Sequence, residues 1–429
     1  MCLQVLLYMG SPQNAKANLR ELTQIHEGEK MQFIDLKAQY DAHKAAIDSA
    51  IHKVLEHGHF IMGPEIAEVE AKLSEYVGVK HCLTVSSGTH SLEIALRALG
   101  VGPGDEVVTV PFTWISTSEV ICLVGATPRF VDIDPVTFNM DVAKLEAAIT
   151  PKTKAIMPVS LFGQMPDYRK IREIADKYEI PVIEDGAQSF GATRRDSDGI
   201  YRSCSCKHTQ VASTSFFPAK PLGCYGDGGA LFTNDDGLAT RIKAIRTHGG
   251  ERRHYHTLVG TNGRFDTIQA AVLLAKLPYF DGEVKKRAEV GARYHGMLKD
   301  FGDVMPPQVD ANNTSVWAQY TIRVPVNEKK SSLVSINGHL ACSNGHLVST
   351  PFTRDVLAGK LKELGVPTAV YYPKCLHEQP VFSNLGYKWG DFPEAEKASR
   401  EVLSLPMSPF LSEQDQEKVV KSIKEVING

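Results

Sequence analysis

Apolar and polar residues follow two different spacings along the chain. Residues 35–56 and 65–76 each carry apolar side chains at the spacing of one helical stripe, and Gly58 marks the end of the first helix. Beyond residue 80, short apolar runs alternate with further helical stretches. The runs predict strands at residues 82–85, 106–110, 129–133, 155–159, 181–183, 211–216 and 230–232, with helices between several of them at 91–99, 115–123, 142–149 and 168–178.

Strands separated by helices predict a mostly parallel sheet with right-handed crossovers and helices on both faces. We expect an N-terminal extension over residues 1–30, a large α/β domain over 31–278 and a small α/β C-terminal domain over 279–429. A helix at 267–276 should close the large domain, and a long helix at 280–298 should lead into the small one. The small domain is expected to hold a strand at 320–324, a helix at 356–364 and a final helix after Ser412.

Two stretches break this pattern. Residues 195–207 are polar and contain cysteines, and residues 327–352 are rich in Ser, Gly and Asn without a clear period. Both are expected to be surface insertions or loops.

Composition excludes several classes of protein. The 429 residues are 43% hydrophobic and 23% charged with a formal net charge of −3, which gives no electrostatic reason for a nucleic-acid or membrane partner. Eight scattered cysteines favour free thiols in a reducing compartment, so we expect a cytoplasmic protein. Neither a membrane span nor a signal peptide is expected. The chain could start at Met1 or at Met31, where the first strongly patterned segment begins.

A phosphate-binding turn is the first candidate site. Ser86, Ser87, Gly88 and Thr89 follow an apolar strand and open a helix. Free backbone N–H groups at a helix N-terminus, with small residues that permit close approach, bind anions. The alternative is an ordinary capping turn with Ser or Thr as the N-cap.

Two acids stand where another strand ends. Glu184 and Asp185 follow the apolar run at 181–183, and ligands of open α/β sheets bind at the carboxyl ends of strands. Gln188 could reach the same ligand. A turn or N-cap acid is the alternative interpretation of Asp185.

Lys220 lies among prolines and aromatic residues, which is an unusual setting for a solvated lysine. Partial burial would lower its pKa and make the amine a nucleophile toward carbonyl groups. Ser215 supplies a hydroxyl five residues earlier. The alternative is an exposed loop lysine.

Two other motifs carry less information. The glycines at 226–229 precede a strand-like run instead of a helix, which argues against a dinucleotide-binding loop. Cys204, Cys206 and His208 form one short cluster without a partner, whereas a closed zinc site needs four ligands. We therefore expect no metal.

The remaining motifs share one chemistry. Pyridoxal phosphate (PLP) needs a phosphate cup, an acid at its pyridine nitrogen, an aromatic side chain against its ring and a lysine that binds its aldehyde carbon. The sequence offers each of these in an order that suits one fold.

Seven segments then point to a family: FIDLKAQY, GPGDEVVTVPFTWIST, VDIDPVTFNMD, PVSLFGQ, IPVIEDGAQSFGA, TSFFPAKPLGCYGDGGALFTND and RFDTIQAAVL. In these segments the chain resembles the DegT/DnrJ/EryC1/StrS family of sugar aminotransferases. The resemblance implies the PLP-dependent fold-type I (aspartate aminotransferase-like) architecture. It also implies a homodimer with shared active sites.

By this resemblance, Lys220 and Asp185 are the catalytic residues. Lys220 holds PLP and moves the proton, and Asp185 keeps the pyridine nitrogen protonated. Asn262 is expected to reach the phosphate in the neighbouring subunit, while Arg264, Tyr371 and Tyr372 contact the sugar nucleotide. The cofactor-binding residues implied are Gly88, Thr89, Trp114, Asp185, Gln188, Ser215, Lys220 and Asn262.

The resemblance is strongest to members that aminate the UDP-linked keto-sugar UDP-2-acetamido-2-deoxy-3-oxo-D-glucuronate for O-antigen polysaccharide. L-Glutamate would be the amino donor and would convert PLP to pyridoxamine phosphate (PMP). Tyr371 stands where such members often have His, and His90 follows Gly88-Thr89 where Asp or Ala is common. Another keto-sugar, such as a 4-keto-hexose or a keto-inositol, therefore stays open, as does a non-catalytic PLP-fold protein. A sugar dehydratase of the family would carry His in place of Lys220.

Overall fold

The computed structural model describes residues 31–252, 254–333, 335–336, 339–340, 342–343, 346–347 and 349–428. The predicted extension 1–30, and with it the choice between Met1 and Met31, lies outside the described residues. The α-helices of the described part are α1 (Leu36–His57), α2 (Pro64–Val77), α3 (Gly88–Ala98), α4 (Ser116–Leu123), α5 (Val142–Ala148), α6 (Tyr168–Asp176), α7 (Asp236–Arg246), α8 (Thr267–Leu298), α9 (Arg354–Glu363), α10 (Pro393–Glu401) and α11 (Glu413–Asn428).

A strand overlaps each of the seven runs predicted between residues 82 and 232, although at 181–183 the overlap is Ile183 alone. In the part of the chain described, the strands are β1 (His81–Val85), β2 (Glu106–Thr109), β3 (Thr127–Phe130), β4 (Thr153–Ile156), β5 (Ile183–Asp185), β6 (Thr193–Asp196), β7 (Gly199–Arg202), β8 (Val211–Ser215), β9 (Gly229–Thr233), β10 (Gly250–Arg252), β11 (Tyr255–His256), β12 (Tyr320–Arg323), β13 (Asn327–Leu333), β14 (Ser335–Ile336), β15 (His339–Leu340), β16 (Cys342–Ser343), β17 (His346–Leu347), β18 (Ser349–Phe352) and β19 (Val402–Leu405).

The central sheet has the order β1-β9-β8-β5 on one side and β4-β2-β3 on the other. Parallel bridges from Ile156 to Val182 and from Val159 to Asp185 join the two halves. Strand β9 runs antiparallel to both of its neighbours, and the other pairs in this sheet are parallel. This confirms the predicted mostly parallel sheet and, with the helices around it, the fold-type I α/β architecture.

Neighbouring residues of one strand pack on opposite faces of the sheet, as the pleat requires. Val211 of β8 joins a cluster that includes Ile94 of α3 and Ile242 of α7. The next residue, Ala212, joins a different cluster with Leu73 of α2 and Leu273 of α8. Both faces of β8 are therefore covered, and all of its residues except the last are buried.

Helix α8 corrects the prediction of two helices separated near residue 277. It runs unbroken for 32 residues with Pro278 inside. Burial of Leu273, Phe280 and Tyr294 along its length outweighs the loss of one backbone hydrogen bond at the proline. The predicted domain boundary at 278/279 falls within this helix. We propose that α8 belongs to both domains, because Leu273 packs on the sheet and Tyr294 packs in the C-terminal cluster.

The C-terminal part has the predicted strand and helices. Strand β12 pairs antiparallel with β19, Tyr320 lying opposite Leu405. Leu357 of α9, Val419 and Ile423 of α11 and Tyr294 of α8 form its core.

Both stretches expected to be surface insertions or loops contain strands, so the loop alternative was wrong and the insertion alternative stays a prediction. Strands β6 and β7 form an antiparallel hairpin, and the following Cys204 and Cys206 are buried. Their thiols lie against the carbonyl oxygens of Ser213 and Phe232, since a cysteine packs as a small hydrophobic residue. In the other stretch, β13 pairs with β18, and the short pairs β14–β15 and β16–β17 lie between them. Its Ser- and Gly-rich composition gave no strand signal.

The thiols of Cys82, Cys122, Cys204, Cys206, Cys224 and Cys375 are free, as expected for these six. Of the helices in the described ranges, none combines the length and apolarity needed to cross a bilayer.

Candidate active site

The anion-binding turn lies between β1 and α3. Ser87 is the N-cap of α3, and its hydroxyl accepts a hydrogen bond from the backbone N–H of His90 at 3.1 Å. Gly88 and Thr89 are the first residues of the helix. Their N–H groups have no acceptor within the helix and carry the positive end of its dipole. The turn therefore presents hydrogen-bond donors that suit an anion.

This turn is pressed against the end of β8. A Cβ atom added to Gly88 would lie 2.7 Å from Cβ of Ser215, and one added to Gly229 would lie 2.6 Å from the carbonyl oxygen of Ser87. The predicted Gly88, Thr89 and Ser215 therefore come together in one place. The hydroxyl of Thr89 also lies 2.7 Å from that of Ser116, at the start of α4.

Asp185 ends strand β5 and is 4% exposed. One carboxylate oxygen accepts a hydrogen bond from the Thr117 hydroxyl at 2.9 Å, and the other accepts one from the backbone N–H of Ala187 at 3.2 Å. Burial raises the pKa of Asp185, while these two hydrogen bonds and the charge of Lys220 oppose that shift. A cation placed next to this carboxylate would restore its charged form.

Lys220 lies in the loop after β8, with its side chain half-buried. Desolvation lowers the pKa of its amine from the usual lysine value to about 8, and the Asp185 carboxylate works in the opposite direction. The two groups are thus close enough to influence each other's charge. A lysine with this pKa has a much larger fraction of neutral, nucleophilic amine near neutral pH than an ordinary lysine.

Gln188 and Tyr372 meet at the same edge. Gln188 is 4% exposed, and its side-chain oxygen accepts the backbone N–H of Phe162 at 2.8 Å. Its side-chain nitrogen donates to the hydroxyl of Tyr372 at 3.1 Å. The C-terminal part of the chain therefore helps to orient a residue of the β5 edge.

Aromatic side chains surround this pair. Trp114 is 58% exposed, and its ring centre lies 6.1 Å from that of Tyr372. Tyr371 is half-buried, 5.8 Å from the Tyr372 ring and 6.2 Å from that of Phe33. Trp114 and Tyr371 thus lie next to Tyr372, which contacts Gln188, whereas the predicted sugar-contacting Arg264 lies in another loop.

The loop with Asn262 and Arg264 borders the anion-binding turn. Its Gly263 carbonyl oxygen accepts the backbone N–H of Ser86 at 3.0 Å. The Arg264 side chain donates to the exposed side-chain oxygen of Asn262 at 3.0 Å. Contact between Asn262 and a phosphate in a second subunit stays a prediction.

The arrangement fits PLP. The Gly88 turn offers free N–H groups where no Cβ atom could be accommodated, Asp185 offers a buried acid, and Lys220 offers an amine of lowered pKa. Among the residues that the structure describes, Cys204, Cys206 and His208 form no group of three or more side chains placed to hold a metal ion. There, His208 lies 2.5 Å from the Asp196 carboxylate, and both cysteines are in the hydrophobic core.

Sequence reasoning missed Thr117 and Ser116. Both are buried and belong to a run of hydroxyl residues in which Thr113 and Ser118 are buried as well. Buried hydroxyls right after a strand end need partners, and that requirement was the available signal.

Comparisons with known proteins point to one family. A model of the DegT/DnrJ/EryC1/StrS aminotransferase family matches residues 41–341 and 336–424. The chain is 48% identical over 381 residues to the UDP-2-acetamido-2-deoxy-3-oxo-D-glucuronate aminotransferase of Pseudomonas aeruginosa, which covers 89% of this chain and 96% of that protein.

Two solved structures share the fold. A DegT DnrJ EryC1 StrS aminotransferase from Brucella abortus superposes with a TM-score of 0.81 at 41% identity, covering 93% of this chain and 100% of that one. The ntda protein from Bacillus subtilis with bound cofactor PMP has a TM-score of 0.81 at 29% identity, covering 94% of this chain and 87% of that one.

Proposed function

The chain belongs to the DegT/DnrJ/EryC1/StrS aminotransferase family, and from this premise we propose that it aminates UDP-2-acetamido-2-deoxy-3-oxo-D-glucuronate with L-glutamate as donor. It is a PLP-dependent aminotransferase that acts on a nucleotide-linked keto-sugar. The products are 2-oxoglutarate and the 3-amino sugar nucleotide. The observation that carries the choice of sugar is the 48% identity, over nearly its whole length, to an aminotransferase of that name.

PLP, when bound, supplies an electron sink for the negative charge that develops at the donor's α-carbon. The buried Asp185 carboxylate would hold the proton on the pyridine nitrogen, because an adjacent negative charge favours the protonated form. Thr117 fixes that carboxylate with a hydrogen bond of 2.9 Å. The Lys220 amine, with its lowered pKa, would accept the α-proton and return it, since catalysis by a base is most efficient when its pKa is near the working pH.

The sugar nucleotide would lie on the side of Trp114, Tyr371 and Tyr372. Trp114 offers an exposed aromatic face, and the Arg264 guanidinium suits the diphosphate, which a planar fork of donors binds well. These assignments extend the family resemblance to individual residues, and substitution of each residue tests them.

We propose a homodimer with shared active sites in the cytoplasm. Asn262 is exposed beside the anion-binding turn, in position to serve a second subunit. Large apolar side chains stand exposed in nearby segments, among them Phe60, Ile61 and Val259 at 46%, 50% and 85%. Ile61 is linked to the site region by its bridge to Asp266. An exposed apolar patch of this kind favours an interface.

The test is a comparison of amino acceptors. The purified enzyme with PLP and L-glutamate would be offered the UDP-linked 3-keto-glucuronate, a nucleotide-linked 4-keto-hexose and a keto-inositol, and 2-oxoglutarate would be measured. The proposal expects kcat/KM for the first to exceed the others by at least about 10²-fold, since unpaired polar groups penalise the wrong sugar. A higher kcat/KM for either competitor would overturn the choice of sugar.

Shared sites have their own test. Lys220→Ala and Asn262→Ala variants, each impaired alone, would be unfolded, mixed and refolded. If Asn262 serves the partner's site, mixed dimers contain one intact site and recover part of the activity. No recovery in dimers that have demonstrably mixed would contradict the sharing.

A further inference from the structure

The loop that carries Lys220 closes on itself. The Phe216 carbonyl oxygen accepts the backbone N–H of Cys224 at 2.8 Å, and the Phe216 N–H donates to Gly228 at 2.8 Å. The segment after Lys220 lies against the segment before it at Gly223, where an added Cβ atom would lie 2.4 Å from the carbonyl oxygen of Pro218. The position of Gly223 is therefore coupled to that of residues 216–218, which lead to Lys220.

A buried lysine on helix α8 forms a hydrogen bond to the backbone of this loop. Lys276 is 3% exposed, and its amine donates a hydrogen bond of 2.6 Å to the carbonyl oxygen of Gly223. The same amine lies 4.8 Å from the centre of the Tyr225 ring. About two turns earlier on α8, the side-chain oxygen of Gln269 accepts the backbone N–H of Tyr225 at 2.8 Å. Helix α8 thus forms hydrogen bonds to the loop at Gly223 and at Tyr225.

The charge state of Lys276 is set by its burial and by the groups around it. Burial lowers the pKa of its amine to about 8, against the opposing charges of Glu283 and Cys224. The Glu283 carboxylate is itself engaged by Gln39 at 2.6 Å and by His43 at 2.9 Å. A buried amine costs free energy unless it is hydrogen-bonded, so the contact with Gly223 offsets part of that cost and is correspondingly hard to give up.

We propose that Lys276 is a positioning residue for Lys220: its hydrogen bond to Gly223 fixes the loop from which Lys220 reaches the cofactor. The proposal rests on the proposed role of Lys220. Lys276 does not touch the reacting atoms, and its effect passes through the backbone of residues 217–224. Without it, the loop samples other conformations and Lys220 spends less time in reach of the cofactor.

The experiment compares Lys276→Met, which keeps the length of the stem but removes the donor, with Lys285→Met, an exposed lysine on the same helix. Hydrogen exchange of the peptide that covers residues 216–226 is measured in the cofactor-free protein, followed by PLP affinity. We expect Lys276→Met to speed exchange of this peptide by about tenfold and to weaken PLP binding by a similar factor, as loss of a hydrogen bond to a charged group does. Lys285→Met should match the wild type in both.

Exchange in the cofactor-free protein separates this proposal from the proposed function, because it requires no catalysis. Unchanged exchange and PLP affinity in folded Lys276→Met would overturn the positioning role even if the enzyme proved active. If Lys276→Met does not fold, Lys276→Leu, which also lacks a donor, takes its place with the same expectations. Faster exchange confined to other peptides would also contradict the proposal.

Discussion

The side-chain nitrogen of Gln188 donates a hydrogen bond to the Tyr372 hydroxyl at 3.1 Å, although 184 positions separate the two residues. With the Phe162 N–H on its other end, the Gln188 amide has one orientation only that satisfies both contacts. A residue of the sheet edge that carries Asp185 is thereby aimed by the C-terminal part of the chain. The site is complete only when both parts are folded together.

Tyr372→Phe should lower kcat/KM by roughly tenfold while preserving the fold. The variant removes the acceptor for Gln188 and leaves a buried N–H unpaired, which costs about 1–3 kcal/mol. Steady-state kinetics with L-glutamate measure the effect. Tyr178→Phe, which loses an exposed contact with Glu146, serves as the control. Wild-type kinetics in Tyr372→Phe would show that the Gln188 contact does not matter.

Asp185→Asn should reduce kcat by about 10²-fold or more, because it removes the buried negative charge with almost no change of shape. PLP affinity should fall as well. Thr117→Val should have a smaller effect in the same direction, since it removes one hydrogen bond from the carboxylate. The exposed Asp198→Asn provides the control. The assignment fails if Asp185→Asn turns over at the rate of that control.

Gly88→Ala should weaken PLP binding by roughly tenfold to a hundredfold, because a new methyl group forced against Ser215 costs about 1–3 kcal/mol. Gly102→Ala is a matched control, since an added Cβ atom there meets nothing within 4 Å. Titration with PLP, followed by absorbance, gives both affinities. Equal PLP affinities of the two variants would contradict close packing of Gly88 against Ser215 at the anion-binding turn.

The rate at which the cofactor-free protein captures PLP should rise with pH and level off above about 8. Only the neutral amine of Lys220 attacks a carbonyl, and burial lowers its pKa to about 8 from an ordinary value of about 10.4. Raising the pH through 8 therefore increases the reactive fraction. Stopped-flow absorbance across this range measures it. A midpoint near 10 would place Lys220 in a solvated environment.

Stability should show the same shift. A lysine whose pKa is lowered on folding binds fewer protons in the folded than in the unfolded state, so the cofactor-free protein gains stability as pH rises from about 8 to about 10. Lys220→Met should reduce this gain, as measured by urea unfolding at several pH values. The other buried lysine of lowered pKa, Lys276, contributes in the same sense and keeps part of the gain in the variant.

Local patterns predicted most of the fold. Strand β9, in which every residue is buried, gave an apolar run that the sequence shows directly, and Ser87-Gly88 was recognisable as a turn because a helix begins there. Pro278 lies in the gap left between the two predicted helices, and packing along α8 outweighs the local cost of a proline there. The contacts of Tyr372 with Gln188 and of Lys276 with Gly223 join distant positions, and no local period encodes them. Asp185 and Lys220 could be predicted as candidates because strand ends and proline-flanked lysines are local signals, and their roles stay predictions.

The central claim is that Lys220 holds the cofactor of an aminotransferase. The most direct measurement is the visible absorbance of the purified protein supplied with PLP, recorded before and after L-glutamate, beside Lys220→Ala. The wild type should be yellow, should lose that band with glutamate as PMP forms, and should regain it with 2-oxoglutarate. The variant should convert PLP at least about 10³-fold more slowly. A wild-type protein that stays colourless with PLP, or a variant that converts PLP equally fast, would contradict the account.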